Sequence, residues 1–240
     1  MLLAMVQDIR VVFLKLAERT CWMRQLKNLS EQEQKLIAQE THDIYAPLAN
    51  RLGIGQIKWE LEDLSFRYLN PIIYKDIAKG LDQKRADREK NIAEITQKLT
   101  QLLENTKIKN FEVQGRAKHI YSIYRKMTRK NLKLHEIYDV SAVRVLTNTL
   151  EDCYTILSLV HTTWQPITQE FDDYIAHPKP NGYRSLHTAV KTENNQVFEV
   201  QIRTFEMHQE SELGVAAHWV YKEGETSARS SYDQKIAWLR

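Results

Sequence analysis

The sequence is poor in the residues that define disulfide-rich and collagen-like proteins, and it lacks a long hydrophobic run. It contains 2 cysteines, 5 prolines and 7 glycines in 240 residues. Cys21 and Cys153 are too few and too far apart for a disulfide framework, which fits a reducing compartment. The apolar stretch 1–17 is interrupted by charged side chains and has no small-residue cleavage site. We therefore expect a packed helix there and a cytoplasmic protein with no membrane partner.

Two nucleotide-binding motifs are also missing. Neither GxxxxGK[S/T] nor GxGxxG occurs, which argues against a P-loop or a dinucleotide-binding cradle. The net charge of +3 is too small to indicate a partner. Its distribution is more informative, because residues 107–133 contain nine lysines and arginines against the single acid Glu112. This segment is a candidate anion-binding surface.

The pattern of apolar residues changes near residue 105. Helical spacing runs through 2–26, 36–52, 57–69 and about 72–103, with a break at Asn70-Pro71. Beyond residue 105 we expect strands near 108–114 and 140–146, with two or three more strands between 164 and 203. Helices are expected at 118–130, 150–164, 206–221 and 231–240. The sequence thus predicts an α+β fold, with an all-helical region 1–105 followed by a domain 106–240 that has a sheet flanked by helices. Because the chain begins and ends within helical patterns, we expect a fragment.

A basic stripe is predicted on the helix that follows Gly115. Lys118, Ser122 and Lys126 are spaced four residues apart, and Arg116 precedes the first turn. Such a stripe can be a solvated basic face or a track for a polyphosphate, since helix N-termini also favour anions.

Alternation along 197–203 predicts a strand with one polar face. Glu199, Gln201 and Arg203 share that face, and the apolar residues between them share the other. Residues 183–190 alternate as well, which places Tyr183 and His187 together. Two neighbouring strands would then form one polar floor suited to metal and phosphate.

Three further features can each be explained by a structural role as well as by a functional one. Asp139 begins a predicted strand and could be a turn residue or a metal ligand. The segment 177–183, HPKPNGY, is a turn by its own chemistry and could be an ordinary surface loop. The acids at 170–173 could be solvated loop charge. Magnesium, if bound, would need one or two carboxylates together with phosphate oxygens.

Five ordered blocks give the chain a close resemblance to a known family. They are GRAKHIYSIYRKM (115–127), IYDVSAVRV (137–145), EFDDYIAHPKPNGYRSLHT (170–188), FEVQIRT (198–204) and ELGVAAHWVYKEG (212–224). The chain resembles the (p)ppGpp synthetases of the RelA/SpoT homologue family, most closely the monofunctional RelA type. The resemblance implies a nucleotidyltransferase-like mixed sheet and a Mg²⁺-dependent GTP/GDP pyrophosphokinase. Such an enzyme moves the β,γ-diphosphate of ATP to the ribose 3′-hydroxyl of GDP or GTP, giving ppGpp or pppGpp and AMP.

The resemblance also implies roles for individual residues. The implied ATP site consists of Arg116, Lys118, Ser122, Lys126 and Arg144, with the two arginines on opposite faces of adenine. The implied guanine-nucleotide site consists of Lys179, Asn181, Tyr183, His187, Gln201 and Arg203. Asp139 and Glu199 are the implied metal ligands and catalytic residues, with Glu199 also the implied proton acceptor. A straight strand would direct Asp139 and Arg144 to opposite faces, so Asp139 should lie at the start of the strand or beside a bulge.

The acidic motif formed by Glu170, Asp172 and Asp173 resembles the ExDD form of RelA-type enzymes, which implies a preference for GDP. Residues 15–24 resemble the KLADRxxNMR motif of the family's HD-type hydrolases, but Glu18 stands where the Asp is expected and Trp22 where the Asn is. We therefore expect no hydrolase activity, and a structural or regulatory role for residues 1–105. The resemblance implies that ribosome binding belongs to C-terminal domains absent from this chain, and the sequence does not indicate an oligomeric state.

Two other functions remain open at this point. One is a nucleotidyltransferase that moves AMP rather than diphosphate. The other is a catalytically weak nucleotide- or RNA-binding module that uses the basic surface 107–133.

Overall fold

The computed structural model describes residues 9–83, 85–134, 137 and 141–214. Its contacts divide the described residues into two compact units, one comprising residues 9–74 and 209–214 and the other lying within 75–208. This division differs from the boundary at residue 105 predicted from the change in pattern. The boundary at residue 105 separates two domains implied by the family resemblance, and a division by contacts does not test it. It therefore stays a prediction.

The described chain contains nine α-helices and five strands. The helices are α1 (Ile9–Gln25), α2 (Glu31–Glu40), α3 (Ala46–Arg51), α4 (Gly55–Leu69), α5 (Pro71–Gln83), α6 (Arg85–Glu104), α7 (Ile120–Lys130), α8 (Leu150–Thr163) and α9 (Phe205–Leu213). The strands are β1 (Phe111–Ala117), β2 (Ser141–Thr147), β3 (Gln165–Asp173), β4 (Leu186–Lys191) and β5 (Val197–Thr204). A short 3₁₀ turn, Leu26–Asn28, and a π-helical segment, Thr41–Tyr45, complete the description. Within the described ranges no helix is long and apolar enough to cross a membrane.

The first unit is built from α1 to α4 around a buried apolar core. Leu16 and Met23 of α1 and Leu61 of α4 are fully buried in it. A capping box starts α2, because the Ser30 hydroxyl accepts from the Glu33 N–H at 3.4 Å and the Glu33 carboxylate accepts from the Ser30 N–H at 3.0 Å. This cap explains why α2 begins five residues before the predicted helix at 36–52.

The second unit contains a mixed sheet of five strands in the order β1-β2-β5-β4-β3. β2 and β5 are parallel, and the other three pairs are antiparallel. Helix α6 packs against β1 and β2, and α8 packs against β3, β4 and β5. The core between helices and sheet includes Leu99, Val143, Ile156, Val200 and Ile202. The predicted α+β class and the mixed sheet flanked by helices are confirmed.

Several predicted element boundaries are wrong. The helix expected from 118 begins at Ile120, so Lys118 precedes the helix and Arg116 belongs to β1. The strand expected from Tyr183 begins at Leu186. The acidic motif, for which a solvated loop was one of two interpretations, lies on strand β3 up to Asp173. Asp139, the end of the helix expected at 206–221 and the whole helix expected at 231–240 lie outside the described residues.

Candidate functional site

A row of polar side chains crosses the sheet on the side opposite α6 and α8. Strand pairing sets five residues beside one another, one from each strand: Gln114, Arg144, Gln201, His187 and Asp172. Side chains at directly paired positions lie on the same face and within reach of one another. The predicted polar floor shared by two strands is therefore confirmed, and it extends over all five.

Glu199 lies next to this row on β5. Its Oε1 accepts a hydrogen bond of 2.5 Å from the Gln201 amide and lies 3.6 Å from Nδ1 of His187. Its Oε2 lies 3.8 Å from the ammonium group of Lys118. The side chain is 19% exposed, so the carboxylate is accessible yet held between an amide and a cation. This placement suits a carboxylate that accepts a proton or binds a cation at the surface of the site.

Gln201 connects the two sides of the site. Its amide nitrogen donates to Glu199, and its oxygen accepts from the Arg116 guanidinium at 2.9 Å. Gln201 is buried, so its two hydrogen bonds fix both partners rather than leaving its amide for a ligand. Arg144, largely buried, is the neighbour of Gln201 on β2.

The three residues of the predicted stripe come from two different parts of the chain. Lys118 lies in the connection between β1 and α7, whereas Ser122 and Lys126 are one turn apart on α7. Lys126 lies 3.6 Å from the carboxylate of Glu170, and Lys130 of the same helix is hydrogen-bonded to that carboxylate. Glu170 thus contacts two lysines of α7.

The segment 177–183 forms the tight turn that its composition predicts. The Gly182 N–H donates to the Lys179 carbonyl at 2.8 Å, and the Lys179 N–H donates to the Tyr183 carbonyl at 3.1 Å. Asn181 accepts from the Tyr183 N–H at 3.2 Å through its side-chain oxygen. Gly182 has φ +79°, a conformation that favours glycine. The turn sets Tyr183 just before β4.

An aromatic and cationic cluster surrounds Tyr183. Its hydroxyl lies 2.8 Å from Nε2 of His187, and the two rings meet edge to face at 5.7 Å. Arg203 is fully buried, with its guanidinium 5.9 Å from the Tyr183 ring and 2.6 Å from Nδ1 of His208. Sequence reasoning placed Arg203 on the correct face, but its burial suits support of Tyr183 better than direct contact with a ligand. His208 was missed, because only the turn from β5 into α9 brings it to Arg203.

The three acids of the motif do not converge on one point. The Asp173 carboxylate accepts from the Tyr154 hydroxyl at 3.0 Å and from the N–H groups of Ile175 and Ala176 at 2.9 and 2.8 Å. It therefore caps the turn after β3. Asp172 faces His187 across the strand pair, and Glu170 contacts the lysines of α7. Within the described part of the chain, no group of three or more acids, histidines or cysteines could hold a metal ion.

A divalent cation would use Glu199 and phosphate oxygens at this site. Magnesium is usually held by one or two protein carboxylates and completes its shell with phosphate and water, so a protein cage is not required. The accessible Glu199 carboxylate fits that donor set. The second predicted ligand, Asp139, lies outside the described residues.

His187 is neutral at pH 7, because burial lowers its pKa to about 4 even though the Glu199 carboxylate acts to raise it. Its contact with Glu199 is therefore not an ion pair. A neutral imidazole carries one proton, and a proton on Nδ1 leaves Nε2 to accept from the Tyr183 hydroxyl.

The lowered pKa of His187 predicts acid-sensitive stability. The unfolded chain binds a proton at an ordinary histidine pKa of about 6.5, so the stabilisation is complete above that pH and is lost as the pH falls towards 4. Between pH 7 and pH 5, the free energy of unfolding of His187→Asn should therefore fall by about 2 kcal/mol less than that of the wild type. Urea unfolding without nucleotide or added metal measures this difference, with His177→Asn in the exposed turn as the control. Equal pH dependence in both variants would contradict the burial argument.

Comparison with known proteins identifies the family of this chain. Residues 115–226 match the family model described as the region found in RelA/SpoT proteins. Residues 1–55 match a model of the HD domain. The chain belongs to the RelA/SpoT family.

Two relatives, at 54% and 49% identity, agree with this assignment. The chain is 54% identical over 242 residues to a GTP pyrophosphokinase of Photobacterium angustum, covering 100% of this chain and 32% of that protein. It is 49% identical to a probable guanosine-3′,5′-bis(diphosphate) 3′-pyrophosphohydrolase of Synechocystis, with 100% and 32% covered. The chain thus spans about a third of these relatives. The structure of small alarmone synthetase 1 from Bacillus subtilis bound to pppGpp is similar at a TM-score of 0.46 and 24% identity, over 66% of this chain and 90% of that one.

Proposed function

We propose that this chain transfers the β,γ-diphosphate of ATP to the ribose 3′-hydroxyl of GDP or GTP, giving ppGpp or pppGpp and AMP. The observation that carries the proposal is the position of Glu199. On one side of its carboxylate lie two cationic residues, Lys118 directly and Arg116 through Gln201. On the other side lies His187 of β4, which contacts Tyr183 at the end of the turn. Donor and acceptor nucleotides bound on these two sides would meet at Glu199.

The donor side suits ATP. Arg116 and Arg144 are diagonal neighbours on β1 and β2, and residues in that relation lie roughly 7–8 Å apart. Two planar guanidinium groups at about that spacing can stack on both faces of a purine. Lys118, Ser122 and Lys126 would bind the phosphates. Because Lys126 contacts Glu170, binding of ATP would have to loosen that ion pair.

The acceptor side suits a guanine nucleotide. Tyr183 offers an aromatic ring for stacking of the base, and the hydrogen bond to His187 holds its hydroxyl. Lys179 supplies a cation beside that ring, 5.3 Å from its centre. Asn181 shapes the turn through its side-chain oxygen.

The chemistry needs alignment of the 3′-oxygen with the β-phosphorus. Glu199 would accept the proton of the hydroxyl while the O3′–Pβ bond forms. The bond between Pβ and the oxygen that bridges it to Pα breaks, and AMP leaves with that oxygen. Lys118 and Lys126 would offset the charge that spreads over the phosphate oxygens. Mg²⁺, held by Glu199, Asp139 and the phosphates, would supply further charge neutralisation when bound.

Product analysis tests the proposal directly. Incubation with γ-labelled ATP and GDP should give labelled ppGpp and unlabelled AMP in equal amounts, and EDTA should abolish both. Release of pyrophosphate with an AMP adduct would establish a nucleotidyltransferase instead. Binding of both nucleotides without any product would establish a binding module. RNA binding that depends steeply on salt and does not need Mg²⁺ would establish the RNA-binding alternative.

Residues 1–55 match an HD-domain model, but the residues described at two positions of the hydrolase motif do not favour hydrolysis. Glu18, at the position where the hydrolase motif has its metal-binding acid, forms an exposed ion pair with Lys15 at 2.7 Å. Trp22 is exposed on the same helix. We infer a structural or regulatory role for this part of the chain. We also infer that a ribosome would be contacted through regions of the longer relatives that this chain does not span.

A further inference from the structure

Tyr174 occupies the centre of the aromatic and cationic cluster, although no sequence motif singles it out. The Lys179 ammonium lies 4.1 Å above its ring, closer than to the ring of Tyr183 at 5.3 Å. The Tyr174 ring meets His187 edge to face at 5.3 Å and Tyr183 at 6.2 Å. Three side chains of the proposed guanine-nucleotide site therefore contact this one residue.

The backbone of Tyr174 is fixed to the neighbouring strand. Its backbone N–H donates to the Ser185 carbonyl at 3.0 Å, which extends the pairing of β3 and β4 beyond the end of β3. Burial, and after it the nearby Asp172 carboxylate, raises the pKa of the Tyr174 hydroxyl. Asp172 is paired with His187 across the strands. The backbone of Tyr174 is thus anchored beside β4, and its ring lies against Lys179, Tyr183 and His187.

We propose that Tyr174 is a positioning residue for the guanine nucleotide, which holds the ammonium of Lys179 and the rings of Tyr183 and His187 in their binding arrangement. A lysine side chain loses much rotamer entropy when it is ordered, and a cation–π contact in the free protein removes part of that cost from the binding step. The same contact leaves the donor side untouched. This inference rests on the proposed function, because it assigns Tyr174 to the acceptor nucleotide of that reaction.

Two variants separate the ring from the hydroxyl. Tyr174→Leu removes the ring, and we expect KM for GDP and the Kd of a fluorescent GDP analogue to rise about tenfold. KM for ATP and kcat should change by less than about threefold, since the donor side and Glu199 remain in place. Tyr174→Phe keeps the ring under Lys179, and it should restore GDP binding to within about threefold of the wild type.

Tyr154→Phe is the matched control. It also removes the hydroxyl of a tyrosine near an acid at the end of β3, but this tyrosine is on α8 and donates to Asp173. The control should leave both KM values near the wild type, with thermal unfolding recorded for all three variants.

The possible outcomes distinguish this inference from the proposed function. If the wild type binds GDP and turns over, but Tyr174→Leu weakens ATP and GDP equally or matches the control, the positioning role is overturned. A Tyr174→Phe variant as defective as Tyr174→Leu would also overturn it. If the wild type makes no product and binds no guanine nucleotide, the proposed function itself fails, and this role fails with it.

Discussion

Replacement of Glu199 by glutamine is expected to lower the rate of diphosphate transfer about 1,000-fold while both nucleotides still bind. Glutamine has almost the same shape, and its oxygen can still accept from the Gln201 amide. It cannot take a proton from the 3′-hydroxyl or bind a cation strongly. The loss should therefore appear in kcat, with little change in the binding of GDP.

Initial rates of ppGpp and AMP formation measure the first part of this prediction, and calorimetric titration with each nucleotide measures the second. Glu151→Gln is the matched control, because Glu151 is an exposed acid in the first turn of α8. It should turn over at the wild-type rate. A Glu199→Gln variant with more than about a tenth of the wild-type kcat would contradict the assignment of Glu199 as proton acceptor.

The face of each strand residue could be predicted from the sequence, because side chains alternate with period two. Glu199 and Gln201 lie together as the pattern of β5 indicates, and the apolar residues between them enter the core. The pairing of β4 with β5 places His187 opposite Gln201, as the two alternating segments suggest. Strand order cannot be read from alternation, so the full row across the sheet emerges only from the structure.

The start of α7 shows where helical spacing misleads. Lys118, Ser122 and Lys126 have helical spacing, yet His119 is extended, with φ −67° and ψ 142°, and acts as the N-cap. His119 makes no side-chain capping hydrogen bond, and the sequence has no Ser, Thr, Asp or Asn there to signal the boundary. Lys118 consequently reaches Glu199 from the loop rather than from the helix.

The bounds of strand β3 and the contacts of Tyr174 were not predictable for a related reason. The acids of QPITQEFDD are disfavoured in strands, and pairing with β4 overrides that preference. The contacts of Tyr174 depend on this pairing and on the turn at 177–183 acting together. Contacts between distant segments leave no periodic signal in either segment.

Replacement of Phe198 by alanine is expected to lower the free energy of unfolding by about 4 kcal/mol. Phe198 is the neighbour of Glu199 on β5 but points to the other face, where it is 1% exposed and meets Trp164 edge to face at 5.2 Å. The truncation would remove buried apolar area and leave a cavity that α8 and the sheet cannot fully close. Urea unfolding with an unchanged slope would measure the loss.

Phe171→Ala is the control for this truncation, because Phe171 is 38% exposed on β3 and should lose less than about 1 kcal/mol. Equal losses for the two alanine variants would contradict the burial assigned to β5. Folded Phe198→Ala protein should retain the Glu199 contacts, and so a kcat near that of the wild type. Adjacent residues of one strand would then separate the two contributions, with Glu199 needed for turnover and Phe198 for stability.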